Sequence, residues 1–153
     1  MWDYKDQRVP DPHAPPYMAK NQTFYVGQKV LIRKGEELLL LIDPRFGLDL
    51  PGGRIQEGEK DLIDSMQREI EEEIGLIVEI GAPAITWTWQ IKVEQHPVFL
   101  VGYESKYISG EIKLSTEHSE FHWVTKETYN NFAAKYRKEN PELYGAIEQY
   151  FNR

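Results

Sequence analysis

The chain has 153 residues, the length of one domain, and its 41% apolar and 28% charged content is ordinary for a globular protein. No apolar run approaches the ~20 residues of a membrane span, so we expect no membrane partner. The net charge of −7 argues against binding to duplex nucleic acid. The absence of cysteine excludes a disulfide framework and a thiolate nucleophile.

The first 20 residues contain four prolines and little periodicity, which predicts an extended N-terminal arm over residues 1–20. This segment lacks the layout of a signal peptide, so a cytoplasmic protein is expected. Its aromatic residues, including Trp2, Tyr4 and Tyr17, offer surface to bury. The arm is expected to be mobile, to pack on the domain or to pack on a second subunit of a homodimer, and the sequence does not distinguish these alternatives.

Residues from 23 onward show the pattern of strands. Residues 24–33 and 37–43 are separated by the turn Lys34-Gly35-Glu36, which predicts a hairpin. Residues 44–47 are predicted as a loop, and residues 48–50 lead into the pair Gly52-Gly53.

Residues 61–74 are predicted to form a helix. Asp61 occupies the position of an N-cap, and Gly75 that of the left-handed residue that ends a helix. The apolar positions recur at three and four residues and predict a stripe that packs inward, formed by Ile63, Met66, Ile70 and Ile74. The neighbouring face is expected to line a cleft.

That neighbouring face carries Glu69, Glu72 and Glu73, whose spacing places their Cβ atoms roughly 5–6 Å apart on a helix. Like charges so close destabilise a helix unless a cation offsets them. Carboxylate oxygens suit Mg²⁺, Mn²⁺ or Ca²⁺. An acidic helix face is more often simply solvated, but the preceding Gly52-Gly53 turn and the adjacent Arg68 favour a metal site.

Five segments after the helix are rich in Val, Ile, Trp and Tyr and are predicted as strands: residues 77–80, 84–92, 97–107, 112–114 and 120–124. Residues 126–138 and 141–152 are predicted as two closing helices, separated at Asn140-Pro141. His118 and His122 are interpreted as surface or hydrogen-bonding residues and not as zinc ligands.

Residues 51–76 resemble the Nudix box, G-x5-E-x7-R-E-U-x-E-E-x-G-U with U aliphatic, the signature of Mg²⁺-dependent hydrolases of nucleoside diphosphates linked to another group. The residues that fit the pattern are Gly53, Glu59, Arg68, Glu69, Ile70, Glu72, Glu73, Gly75 and Leu76. Eight residues separate Glu59 from Arg68 where the family has seven, so the loop before the helix carries one extra residue.

The resemblance implies an α/β protein, an α/β/α sandwich around a mixed β-sheet, in which residues 21–153 form a single Nudix hydrolase domain. It implies Mg²⁺, with Mn²⁺ as an alternative, as the cofactor of a hydrolase acting on a nucleotide-type small molecule. The expected ligands are the three helix glutamates and the backbone carbonyl of Gly52 or Gly53. Arg68 is expected to pair with a carboxylate of the box, and Glu59 is expected to pair with Arg68 and support the loop.

A general base or a further metal ligand often comes from a later loop in relatives. Residues 115–123 supply two candidates, Glu117 and Glu120. We prefer Glu117, because Glu120 begins a predicted strand whose alternation directs it to the same side as His122.

A nucleobase requires a flat apolar platform, for which Trp87, Trp89 and Phe121 are candidates. Large aromatic residues at alternating strand positions are more often core, but Trp87 and Trp89 share one face of the sheet. Arg45 and Arg54 flank the glycine loop and are candidates for phosphate binding.

Three functions are consistent with this pattern. The first is a Mg²⁺-dependent hydrolase that cleaves a pyrophosphate bond in a nucleoside polyphosphate or a nucleoside diphosphate derivative. The second is a catalytically inactive Nudix-fold module that binds nucleotides or regulates; the extra residue favours it, and the intact glutamates oppose it. The third, an acidic metal-buffering protein, leaves the Gly52-Gly53 loop unexplained.

Overall fold

The computed structural model describes residues 22–90, 92 and 95–153, so the predicted arm over residues 1–20 lies outside the described residues. The elements in chain order are β1 (Tyr25–Lys34), β2 (Glu37–Asp43), β3 (Gly47–Asp49), β4 (Gly52–Arg54), α1 (Leu62–Ile74), β5 (Ile77–Trp89), β6 (Val98–Ser109), β7 (Glu120–Val124), α2 (Lys126–Ala133), a 3₁₀ turn (Ala134–Tyr136) and α3 (Pro141–Phe151). Within the described ranges, no helix is long and apolar enough to cross a membrane.

The seven strands of the described chain form one sheet in the order β3-β2-β1-β6-β5, with β4 also paired to β1 and β7 to β2. Strands β1 and β6 run parallel, and the other pairs are antiparallel. Helix α1 packs on one face of the sheet, and helices α2 and α3 pack on the other. The structure confirms the predicted α/β/α sandwich around a mixed sheet.

Strand β2 shows how the sequence specifies a sheet that is covered on both faces. Leu39 and Leu41 lie in the core beneath α1, whereas Leu38, Leu40 and Ile42 lie in the core beneath α2 and α3. A strand buried on both faces is apolar at every position, which explains its unbroken apolar run.

Helix α1 begins and ends where the sequence predicts. The side chain of Asp61 accepts hydrogen bonds from the N–H groups of Ile63 and Asp64, and Gly75 ends the helix with a φ of 73°. The predicted inward stripe is confirmed for Met66, Ile70 and Ile74. It is wrong for Ile63, which lies exposed in the first turn.

Two element boundaries differ from the prediction. The strands expected at residues 77–80 and 84–92 are one strand, β5, with irregular register on both sides of Pro83 because proline offers no N–H to the ladder. The helix expected at residues 126–138 ends at Ala133 and continues as the 3₁₀ turn.

Residues 112–114, predicted as a strand, are not a strand. Instead, the N–H groups of Lys113 and Ser115 donate to the carbonyl oxygens of Ile74 and Glu73, both at 2.9 Å. These bonds satisfy carbonyls that the end of a helix leaves free. They also bring the loop that follows, residues 115–119, next to the acidic end of α1.

Candidate active site

Two consecutive glycines at the start of β4, Gly52 and Gly53, bring this strand into contact with α1. The Gly52 N–H donates to Glu73 Oε2 at 2.9 Å. A Cβ on Gly53 would lie 3.0 Å from Glu69 Oε2, and a Cβ on Gly52, whose φ is 122°, would collide with the carbonyl oxygen of Gln28. The glycine pair therefore allows backbone groups to approach both glutamates closely.

Burial raises the pKa of both carboxyl groups at this loop. At Glu69 the Glu59 carboxylate raises the pKa further, while Arg68 opposes the shift. At Glu73 the opposing groups are Lys29, the Gly52 N–H and His118. A nearby cation stabilises the ionised form of a partly buried carboxylate. Glu69 and Glu73 therefore suit the role of metal ligands.

Arg68 connects Glu72 to the loop before the helix. Its Nη1 lies 3.1 Å from Glu72 Oε2, and its Nη2 lies 3.2 Å from Glu59 Oε1. The extra residue in that loop is thus accommodated without loss of the contact between Arg68 and Glu59. Glu72 itself is turned toward Arg68 and is 64% exposed.

The loop at residues 115–119 is pinned at both ends. The Ser115 N–H donates to the Glu73 carbonyl, and the Ser119 N–H donates to the Ile42 carbonyl, both at 2.9 Å. Between these anchors Glu117 is exposed to solvent. The competing candidate Glu120 lies on β7, where its carboxylate bonds His122 Nε2 at 2.8 Å.

A buried chain of polar groups lies behind this loop. His118 Nε2 is 3.0 Å from Asp49 Oδ2, and Lys29 Nζ is 2.9 Å from Asp49 Oδ1. The Leu50 N–H also donates to Asp49 Oδ1 at 2.7 Å. Burial opposes ionisation of Asp49, but Lys29 and His118 outweigh it and hold the pKa of Asp49 below its ordinary value. Asp49 is therefore an ionised carboxylate that orders the groups on both sides of it.

Lys29, Asp49 and His118 are not predicted as site residues from the sequence. His118 was expected to be a surface or hydrogen-bonding residue; it bonds Asp49 but is buried. An available signal was Lys29, a lysine in the interior of the buried strand β1, since a buried charge requires a partner. Its partner, Asp49, lies on another strand, and no sequence spacing connects the two residues.

Donor atoms suitable for a divalent cation converge at the C-terminal part of α1. Within the described chain, Glu73, Glu117 and His118 each place one ligand atom within 4.8 Å of the others. Glu69 lies against Gly53 one turn earlier in α1, whereas Glu72 pairs with Arg68. Carboxylate oxygens and an imidazole nitrogen are both ligand types that divalent metal ions bind.

A cleft of about 710 Å³ opens beside these donors, with Gly53, Asp49 and Glu117 on its wall. Its aromatic lining consists of Tyr25, Phe46, Trp87 and Trp89. The rings of Phe46 and Trp89 meet edge to face, with centroids 5.1 Å apart. Trp87 is buried and belongs to the core as well as the wall, and Trp89 is half-buried. Concave pockets with apolar walls and few polar groups are typical of ligand sites.

Both candidate phosphate-binding arginines line this cleft. Arg45 Nη2 lies 2.8 Å from Asp43 Oδ2, and its guanidinium stacks over Phe46. Arg54 lies over the ring of Tyr25. Phe121 is exposed on β7 and does not line the cleft in the described part of the molecule.

The sequence matches the family model of the NUDIX domain over residues 25–146. This match spans most of the chain, including the glycine loop, helix α1 and the loop at residues 115–119. No curated protein sequence matches the chain significantly.

Solved structures with the same fold include the following three proteins. A MutT protein from Methanosarcina mazei Go1 is 26% identical, with 80% of this chain and 99% of that chain covered and a TM-score of 0.61. A NUDIX hydrolase from Nitrosomonas europaea is 21% identical, with 75% and 81% covered and a TM-score of 0.62. An ADP-ribose pyrophosphatase from Streptococcus suis 89-1591 is 21% identical, with 69% and 76% covered and a TM-score of 0.55.

Proposed function

The chain belongs to the NUDIX domain family and is a Nudix-type hydrolase, and from that premise we propose that it cleaves, with Mg²⁺, a pyrophosphate bond in a nucleoside polyphosphate or a nucleoside diphosphate derivative. The observation that carries this proposal is the position of Glu69 and Glu73 against the Gly52-Gly53 loop, at the edge of an aromatic cleft. The carboxylates that we propose as metal ligands thus lie beside a pocket of about 710 Å³.

The residues that would hold Mg²⁺ are Glu69, Glu73 and the carbonyl of Gly53, with Glu72 and Glu117 as further ligands. When bound, Mg²⁺ offsets the charge of the phosphates and lowers the pKa of a water. Burial raises the pKa of Glu69 and Glu73 and so disfavours their ionised forms in the free protein. A bound cation would offset this free-energy cost.

Arg68 orients the glutamates of the box and does not itself need to touch the cation. Because Arg68 is 54% exposed, its ion pairs with Glu59 and Glu72 contribute little to folding. We expect Arg68→Ala to change the free energy of unfolding by less than about 1 kcal/mol. We expect it to weaken Mg²⁺ binding about tenfold, since groups that orient metal ligands typically contribute that much.

Isothermal titration with Mg²⁺ and urea unfolding measure these two effects. Lys60→Ala is the matched control, because it removes an exposed positive charge from the preceding loop. If both variants weakened Mg²⁺ binding equally, Arg68 would act only through its positive charge and not by orienting the glutamates.

Glu117 is the group we propose as general base. It is exposed on a loop whose two ends are fixed, and it lies on the wall of the cleft, so a water between Glu117 and a phosphate is within reach. Glu120 is engaged with His122 on β7, which supports Glu117 over Glu120. Glu117 also belongs to the cluster of candidate metal ligands. We therefore propose the same side chain both as general base and as metal ligand.

The substrate is proposed to place its base against Trp89 and Phe46, with Arg45 and Arg54 contacting phosphates. Trp87 contributes to the same wall while packing in the core. Arg45 and Arg54 keep exposed guanidinium groups over aromatic rings, which holds them at the rim of the cleft.

Trp89→Ala should raise the KM for the preferred nucleotide about tenfold, because stacking contributes ~1–3 kcal/mol per base. The kcat should change less, since we propose that Trp89 contacts the base of the substrate and not its phosphates. Phe121→Ala is the matched control: this aromatic residue is exposed and lies outside the cleft lining. Steady-state kinetics of both variants test the assignment, and an unchanged KM in Trp89→Ala would contradict it.

The proposed function is tested with a panel of nucleoside triphosphates, dinucleoside polyphosphates, nucleotide sugars and ADP-ribose. The last two represent nucleoside diphosphate derivatives, a class to which the substrate of the fold neighbour from Streptococcus suis belongs. Turnover is measured with Mg²⁺ and with a chelator, in ¹⁸O-labelled water with product masses.

We expect at least one substrate to give two phosphate-bearing products, or a nucleotide and a phosphate, with ¹⁸O on one of them. Chelation should abolish turnover, and added Mg²⁺ should restore it. Tight binding of a nucleotide without turnover under any divalent ion would instead support the catalytically inactive module.

A further inference from the structure

One nitrogen of the buried His118 has no partner within the described chain. The side chain is 2% exposed, and its Nδ1 makes no hydrogen bond there. Glu73 Oε1 lies 3.7 Å from this nitrogen, which is too long for a hydrogen bond. Burying a polar atom without a hydrogen-bond partner costs free energy, so this nitrogen is a candidate to bind a ligand.

The other nitrogen fixes the tautomer of the ring. His118 Nε2 lies 3.0 Å from Asp49 Oδ2, and an ionised carboxylate only accepts hydrogen bonds, so Nε2 carries the hydrogen. In the neutral ring, Nδ1 then presents its lone pair toward Glu73. Asp49 is held in turn by Lys29 at 2.9 Å. A histidine that donates one ring N–H to a carboxylate and uses the other nitrogen as a ligand is a common arrangement in metal sites.

We infer that His118 binds a transition-metal ion through Nδ1, together with the carboxylates of Glu73 and Glu117. This inference deepens the proposed function and rests on it, since Glu73 is shared with the Mg²⁺ ligands named above. Two ligands of one ion lie at most about 4.2 Å apart for bonds of ~2.1 Å, and the 3.7 Å between His118 Nδ1 and Glu73 Oε1 meets that limit.

The donor set also predicts which ion binds. The site combines one imidazole with two carboxylates, within 4.8 Å of one another, and Glu117 is open to solvent. An imidazole favours first-row transition ions over Mg²⁺, which prefers oxygen ligands only. The exposed side leaves positions for water or for substrate phosphate.

Pulsed electron paramagnetic resonance of Mn²⁺ bound to the full chain tests the inference independently of activity. We expect ¹⁴N modulation from a coordinated imidazole, replaced by a ¹⁵N pattern when the histidines alone carry ¹⁵N. His118→Gln should lose this coupling completely. His122→Gln, the matched control, should retain it, because His122 bonds Glu120 on β7.

A second variant keeps the test decisive if His118→Gln does not fold. The chain has four histidines, so replacing His13, His96 and His122 with glutamine leaves His118 alone, and the coupling should persist. Bound Mn²⁺ without nitrogen coupling, coupling that survives His118→Gln, or coupling lost in the triple variant would each overturn the assignment. A protonated His118 paired with Glu73 gives the first of these results.

Mg²⁺-dependent turnover measured on the same preparation separates this inference from the proposed function. Turnover without nitrogen coupling removes His118 from the metal site and leaves the hydrolase intact. Nitrogen coupling without turnover on the nucleotide panel retains the His118 site and removes the proposed activity.

Discussion

Replacing Glu73 with glutamine is expected to lower kcat by about 10³-fold, which corresponds to about 4 kcal/mol of transition-state stabilisation. Glu73 is the carboxylate at which the glycine loop, the loop at residues 115–119 and helix α1 meet. Glutamine keeps an oxygen that can accept from the Gly52 N–H, so the loop contact survives while the negative charge is lost. The effect is therefore electrostatic and not a consequence of unfolding.

Thermal unfolding distinguishes these causes. Because burial raises the pKa of Glu73, its ionised form is disfavoured in the metal-free fold, and Glu73→Gln should be at least as stable as the wild type in chelator. Added Mg²⁺ should raise the Tm of the wild type more than that of the variant. Glu71→Gln, an exposed position on the same helix, is the control and should retain activity. A variant with near wild-type kcat would remove Glu73 from the metal site.

Asp49→Asn is expected to cost about 3 kcal/mol of unfolding free energy. Asparagine has the shape of aspartate, but it leaves the Lys29 ammonium, which is 13% exposed, without a full counter-charge. Burial alone would lower the pKa of Lys29; the carboxylates of Asp49 and Glu73 outweigh burial and keep it above its ordinary value. Loss of Asp49 therefore leaves a largely buried charge that water solvates only in part.

The double variant Lys29→Met with Asp49→Asn should be more stable than Asp49→Asn alone, because it removes the unpaired charge and keeps an acceptor for His118. Urea unfolding in chelator measures the wild type, Asp49→Asn, Lys29→Met and the double variant without a contribution from bound metal. Additive losses in the double variant would show that Lys29 and Asp49 act independently, against the contact seen in the structure.

Local features of the fold follow well from the sequence. The bounds of α1, its cap at Asp61 and its end at Gly75 depend on residues within a few positions of one another, so spacing alone identifies them. The mixed sheet follows from the family resemblance, because the parallel pairing of β1 and β6 joins segments about 70 residues apart.

The features that could not be predicted depend on contacts between distant segments. Lys29, Asp49 and His118 come from three separate elements, and their chain of contacts arises only when β1, β3 and the loop at residues 115–119 are brought together. Residues 112–114 have strand-like side chains, but the N–H groups of Lys113 and Ser115 donate to the free carbonyls of Ile74 and Glu73 at the end of α1. Phe121 has the character of a base platform, yet β7 lies at the edge next to β2, away from the cleft.

Anomalous diffraction from crystals soaked in Mn²⁺ locates the metal ion without reference to a substrate. We predict a strong peak at bonding distance from the carboxylates of Glu69 and Glu73, beside the Gly53 carbonyl. A peak confined to other acidic residues, such as Asp61 and Asp64 at the opposite end of α1, would contradict it, as would no peak in crystals of protein that turns over its substrate.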